Sequence, residues 1–275
     1  MAFMIFMMMM VDLNNLADFK NNEKSSDVFD YCRKKNANFL CFDWFGRGKS
    51  TGKLMEATVS RWKKDTIHFL ENQAEHVTGG IAGVKAVLVG AGVGGWVAVL
   101  VALERPDLVR GIVGLSADPD FTEDLLWNQL PEDVKEAIMR DGFREVKWGG
   151  REEVYPITSS LIEDGRKNLV LRGGKNSLEI MCPVRLIHSL GDEEVPYSVP
   201  LRLADAIQTN NIRIIMPKVG GHGLNEDYMP ARTGWVDPED PNPPVKSQKT
   251  VKTSLEECLD QVIFSTMPGD ASQTW

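Results

Sequence analysis

The chain lacks the material for several kinds of chemistry. Only four cysteines occur in 275 residues, Cys32, Cys41, Cys182 and Cys258, and no two form a C-x-x-C pair. Zinc knuckles and dithiol redox centres are therefore unsupported, and the thiols are expected to be reduced, mostly buried small hydrophobes. Histidine is equally scarce: His68, His76, His188 and His222 are the full set. None stands with cysteines or carboxylates at metal-ligand spacing, so no metal is expected, and no cofactor. Positive charge is short as well, with 31 Lys and Arg against 39 Asp and Glu and a net charge of −8. That balance opposes a broad phosphate-binding surface, and no nucleic-acid partner is expected. The methionine-rich start, "MAFMIFMMMMVDL", has an apolar run of about ten residues, too short to span a bilayer. It carries no basic n-region, no small-residue cleavage site and no presequence arginines, and reads as a buried central strand. There are no internal repeats.

What remains is an alternation of strands and helices. Phe3–Val11, "NFLCFDW", "KAVLVG", "VRGIVGLSA", "CPVRLIHSL" and "NIRIIMP" read as apolar strands. Helices are expected over Lys24–Lys34, Ala57–Asn72, Gly94–Glu104 and around Val251–Val262. Repeated βα units with apolar strands predict an α/β protein with a mostly parallel sheet covered on both faces. The core is expected over residues 1–117 and 182–265. Residues 118–181 break the rhythm and read as an inserted helical cap, with Pro131 at a first helical position. Residues 231–249 hold Pro238, Pro241, Pro243 and Pro244 and must be extended, and 266–275 form a tail.

The stretch "AVLVGAGVGGWVAVLVAL" admits two readings. Gly90, Gly92 and Gly95 spell G-x-G-x-x-G, the dinucleotide fingerprint. Gly90, Gly92 and Gly94 spell a nucleophile elbow whose central serine has become glycine. A dinucleotide site needs an acidic residue ending the next strand. Here Ser116 and Ala117 end that strand and Asp118 lies beyond it, a poor match. The surroundings favour the elbow. "FDWFGRGKSTG" sets Asp43, Gly46, Gly48 and Ser50 upstream of it, "HSLGDEEVP" places Asp192 after a strand, and "VGGHG" places His222 on the loop after the next one. Elbow, acid, base is the α/β-hydrolase order.

Together with "RWKKD", "LVGxxxGGW", "NQLPEDVKE" and "CPVRLIHSLGDEEVPY", these motifs resemble the mitochondrial α/β-hydrolase-domain acyl thioesterases, also described as acyl-glucuronide esterases. The resemblance runs from about Phe39 to Tyr228. It implies an α/β-hydrolase fold, a serine where this chain has Gly92, the acid at Asp192 and the base at His222. The two leading strands of the usual fold are expected to be absent.

Without a side chain at Gly92 no acyl-enzyme forms there, and loss of a triad nucleophile removes about 10⁶-fold in turnover. One oxyanion donor is expected at the N–H of Val93. The second is in doubt, because its loop carries Asp12, Asn14 and Asn15. Ser116 lacks an elbow and is a poor substitute. Asp192 either orients His222 or only caps the helix beginning near Ser198 or braces its loop. His188, Trp62 and Trp96 are expected to be structural, and His68, His76 and the charges of "RWKKD" solvated.

The expected function is that of a catalytically inactive α/β-hydrolase-like protein, an accessory subunit binding other proteins through residues 231–249 and the tail. The resemblance implies a mitochondrial setting, the cysteines otherwise a cytoplasmic one. The alternative is an esterase or thioesterase without a serine, in which His222 and Asp192 activate water.

Overall fold

In a computed structural model, residues 5–11, 23–78, 84–147, 154–218, 220–224 and 248–263 are described. The strands are β1 (Ile5–Val11), β2 (Asn38–Cys41), β3 (Ala86–Gly92), β4 (Val109–Leu115), β5 (Phe143–Lys147), β6 (Val154–Thr158), β7 (Val184–Ile187) and β8 (Ile212–Ile215). The helices are α1 (Glu23–Lys35), α2 (Val59–Thr78), α3 (Val93–Glu104), α4 (Glu132–Asp141), α5 (Ser159–Arg166), α6 (Ser198–Ala206) and α7 (Gln248–Ile263). Six strands form one parallel sheet in the order β2-β1-β3-β4-β7-β8. The methionine-rich start is an internal strand, as its composition suggests, with Met7 in register between Leu40 and Leu88.

Strand alternation divides the sheet's side chains between two cores. Val87, Val89, Val113, Leu115 and Ile187 face α1 and α7, meeting Tyr31, Cys258 and Leu259. Ala86, Leu88, Ile112, Val184 and Leu186 face the other way, toward Trp62, Trp96 and Leu203 from α2, α3 and α6. Each such aliphatic side chain removed from water contributes about 1.5–3 kcal/mol. Cys32, Cys182 and Cys258 are buried, Cys41 partly so, and all four thiols are free. Burial pushes the Cys32, Cys41 and Cys182 thiols up to about 12. Trp96 is fully buried, in edge-to-face contact with Phe121, and its indole N–H donates to the Asn168 carbonyl at 3.1 Å.

The charged run on α2 is more than a solvated face. Asp65 accepts a hydrogen bond from the Phe45 backbone at 3.0 Å and another from Arg61 at 3.1 Å, tying α2 to the loop after β2. Within that loop Asp43 accepts from the Lys49 N–H at 2.8 Å, and Gly46 and Gly48 take positive φ.

Residues 118–181 differ from the helical cap read in the sequence. Besides α4, α5 and tight turns over Thr122–Gln129, they hold an antiparallel hairpin, β5 with β6. Gly142 stops α4 in the left-handed conformation, its N–H bonded to the Ile138 carbonyl, and strand alternation takes over at once. Tyr155 and Ile157 are buried while Val154 is exposed. Pro156 fits because a two-stranded ribbon has open edges on which a missing N–H costs little. Pro131 sits one place earlier than expected, capping α4 instead of opening it. Asp120 anchors this region, accepting from the Val170 and Leu171 N–H groups at 2.7 and 2.9 Å. Residues 231–247 of the Pro-rich segment, the tail, and Asp12, Asn14 and Asn15 lie outside the described residues.

The glycines around the β3–α3 turn serve close packing. A Cβ at Gly90 would lie 2.3 Å from the Gly94 carbonyl oxygen, and one at Gly95 would lie 2.4 Å from the Ala117 Cβ. Both distances are far inside van der Waals contact, so helix and strand cross at a separation only glycine permits. Gly95→Ala should therefore destabilise the protein by about 1–3 kcal/mol with no change in fold, measured by urea unfolding.

Candidate active site

The site is assembled at the carboxyl ends of β3, β4, β7 and β8. Gly92 ends β3 and immediately precedes α3, with φ 53° and ψ −125°. This left-handed backbone makes residue 92 the apex of a sharp strand-to-helix turn, the geometry that presents a nucleophile in a hydrolase elbow. At this apex the chain has no side chain. Val93 follows as the first residue of α3, which puts its N–H at the turn.

Asp192 follows β7 and His222 follows β8, and they meet. His222 Nδ1 lies 3.0 Å from Asp192 Oδ2. The carboxylate is fully buried, while the imidazole retains 19% side-chain exposure. Asp192 Oδ1 accepts the backbone N–H groups of Glu194 and Val195, each at 2.9 Å. The residue thus braces its own loop and orients the imidazole. It does not cap α6, whose first turn has no side-chain cap. Burial works against both charged forms, but the hydrogen bond between them prevails: Asp192 is held below the usual carboxylate range and His222 above the usual imidazole value.

His188, on the strand end beside β4, is structural in contact. Its Nε2 lies 2.9 Å from the Val195 carbonyl and 3.7 Å from Asp192 Oδ2. Burial pushes its pKa down, so the ring is neutral and donates from Nε2 to that carbonyl. Trp62 is 1% exposed and belongs to the core, whereas His68 is exposed and His76 lies in α2. Ser116 has φ 45° and a buried hydroxyl with no hydrogen-bond partner among the described residues, on the strand end next to the elbow. No contact joins it to His222 among the described hydrogen bonds, so it is not placed as a nucleophile.

One site residue escaped the sequence reading. Asp118, two residues beyond Ser116, donates its backbone N–H to the Gly92 carbonyl at 3.3 Å. It is 6% exposed, and its Oδ1 is buried without a hydrogen-bond partner among the described residues. Burial pushes its carboxyl up to about 8, a rise moderated by the facing His222 and reinforced by Asp192 and Glu194. The available signal was its place, just past the strand that neighbours the elbow strand.

Beneath the cap lies a cavity of about 30 Å³ lined by the buried Arg47 and by Trp62, Phe121, Leu126, Tyr155 and Ile157. Phe121 joins it to the site, its N–H bonded to the Asp118 carbonyl at 3.2 Å. That volume holds one or two water-sized spheres. Among the described residues no group of three or more His, Cys, Asp or Glu could hold a metal ion, and no helix is long and apolar enough to cross a membrane.

The comparisons agree with this architecture. The family described as Hydrolase_4, serine aminopeptidase S33, matches residues 21–139. The palmitoyl-protein thioesterase ABHD10, mitochondrial, of Mus musculus is 31% identical over 209 residues, 75% of this chain and 66% of that protein. The chain spans just under two thirds of the length of such curated relatives. The solved structure of alpha/beta hydrolase domain-containing protein 10 from mouse superposes with a TM-score of 0.72 at 25% identity, covering 94% of this chain and 89% of that one. A putative hydrolase from Agrobacterium vitis S4 gives a TM-score of 0.67 at 25% identity, covering 80% and 81%. The parallel sheet and its flanking helices define an α/β-hydrolase fold. Within that fold the chain is related to the ABHD10 thioesterases.

Asp118 carries a pH-dependent stability cost. Its folded-state pKa is raised, so its stabilising contribution is full below the unfolded value near 4 and is lost as pH rises toward 8. The stability of Asp118→Asn relative to the wild type should therefore grow between pH 4 and pH 8, by a few kcal/mol (~1.4 per pH unit at most), and level off above. Urea midpoints across that range measure it.

Proposed function

We propose that the chain is an α/β-hydrolase-like protein that does not run the serine mechanism, and that it works by binding. The observation that carries this reading is the elbow apex itself: residue 92 has the backbone of a nucleophile position and only hydrogen for a side chain. The residues that would serve a serine, Asp192 and His222, remain paired at 3.0 Å. A preserved base without its nucleophile can take a proton but has no protein oxygen to take it from.

In this reading the protein is an accessory subunit for partner proteins, with residues 231–249 and 266–275 as the attachment segments. That assignment comes from their composition: extended proline-rich chain docks at low ordering cost. A mitochondrial setting is part of the same proposal, by analogy with relatives whose names carry that compartment.

A second reading is favoured by one observation, the intact His222–Asp192 pair with the imidazole partly open to solvent. Such a pair activates water directly as a general base. A short-chain chromogenic ester separates the two. The binding reading predicts a hydrolysis rate equal to that of His222→Ala and no labelling of the wild type by a fluorophosphonate probe. Hydrolysis that falls at least tenfold on His222→Ala, without probe labelling, would establish the water mechanism instead.

A further inference from the structure

Asp192 is fixed by its own loop, through the Glu194 and Val195 N–H groups, but His222 reaches it from a different strand. The connection between the two loops is short. The ladder of β7 and β8 continues past their last paired residues through the His188 N–H on the Ile215 carbonyl at 3.0 Å and the Leu190 N–H on the Pro217 carbonyl at 2.8 Å. Beyond that point no backbone bond joins the two loops among the described residues. A side chain takes over. Ser189 is fully buried, and its hydroxyl donates to the Gly220 carbonyl at 2.5 Å. The same oxygen accepts the Gly191 N–H at 3.0 Å. Gly220 stands two residues before His222, at φ 117°, a backbone that favours glycine.

These bonds form a chain from one loop to the other. The Gly191 N–H occupies an acceptor site of the hydroxyl oxygen, and the single hydroxyl proton goes to the carbonyl across the gap. Each bond polarises the next. The loops meet so closely that a Cβ at Gly191 would lie 2.9 Å from the Gly220 carbonyl oxygen. With a side chain at 189 that cannot donate, the buried Gly220 carbonyl loses this donor, and its loop gains by moving to find another.

We propose that Ser189 is a positioning residue for the His222–Asp192 pair: by holding Gly220 it sets the base loop at the separation where imidazole meets carboxylate. The inference rests on the geometry of the pair and on neither reading of its function, so its failure leaves both in place. The consequence shows on the imidazole. The titratable groups facing His222 are Asp192 and Glu194 from the acid loop, Asp118 beyond β4 and the neutral His188 at the end of β7. Burial pulls the His222 pKa down, and the hydrogen bond to Asp192 does most to raise it. A base loop that drifts loses that bond first, because hydrogen bonds weaken steeply with distance and angle while burial persists. The pKa then falls.

The test is an NMR titration of the imidazole nitrogens in the full chain, with His222 assigned by its absence from His222→Ala and folding checked by circular dichroism. In Ser189→Ala, His222 should titrate lower than in wild type by about half a pH unit or more. Ser189→Thr keeps the hydroxyl and should stay near the wild-type value. Thr158→Ala removes the hydroxyl that accepts the Leu161 N–H at the start of α5, a structural loss in the cap, and should leave His222 unmoved. Gly191→Ala pushes on Gly220 with the hydroxyl in place and should also lower the value, which decides the matter should Ser189→Ala not fold. A folded Ser189→Ala whose His222 titrates as in wild type or higher overturns the proposal. With Ser189→Ala unfolded, an unmoved His222 in Gly191→Ala overturns it. An equal fall in Ser189→Thr or in Thr158→Ala overturns it as well, because packing or stability, and not the hydroxyl bridge, would then set the imidazole.

Discussion

The turn at Gly92 is the constraint on which the site depends. A buried strand must reverse into a buried helix within one residue, and φ 53° at that residue accomplishes it. The close approach is possible because Gly90 and Gly95 bring no Cβ into the crossing, where even a methyl group would meet Gly94 or Ala117. In a hydrolase elbow this turn holds a strained side chain toward substrate. Glycine occupies positive-φ backbone at little cost, and the proposed function reads the turn as an elbow whose architecture is kept and whose reactive atom is not. The neighbouring strand end repeats the theme, with Ser116 and Asp120 both at positive φ.

Around that turn the electrostatics divide into a settled part and an unsettled one. Asp192 has every oxygen occupied: two backbone N–H groups on Oδ1 and His222 on Oδ2. Such a buried, fully bonded carboxylate remains charged and fixes the imidazole. Asp118 is its opposite, a buried carboxyl with an oxygen left unpaired among the described residues, pushed toward the neutral form. Asp192 alone is bonded to the imidazole, and the two acids are set apart by environment: bonding holds one below the usual carboxylate range while burial pushes the other above it.

Much of this was legible in the residues. Apolar runs marked the parallel strands, and the order of Gly92, Asp192 and His222 marked the candidate site, where Asp192 and His222 meet because strand-end loops converge in this fold whatever their separation in sequence. The hairpin of Phe143–Lys147 with Val154–Thr158 was not legible. Charged residues interrupt the first strand, and Pro156 argues against the second until its ribbon partner is known. Asp118 was weighed only as a ribose-binding acid, since nothing in the sequence says which of Asp118 and Asp120 is anchored by backbone. That distinction lies in loops 50 residues away in sequence, at Val170 and Leu171. The Asp65 bond to the Phe45 backbone was hidden in the same way inside a run of charges.

The central claim is that no covalent intermediate can form at residue 92. Rapid mixing of the wild-type protein with excess activated ester, followed by intact-mass analysis of the quenched protein, tests it most directly. The account predicts no pre-steady-state burst and an unmodified chain at every time. A burst matching the protein concentration, with one acyl group mapped to the peptide carrying the β3–α3 turn, would contradict it.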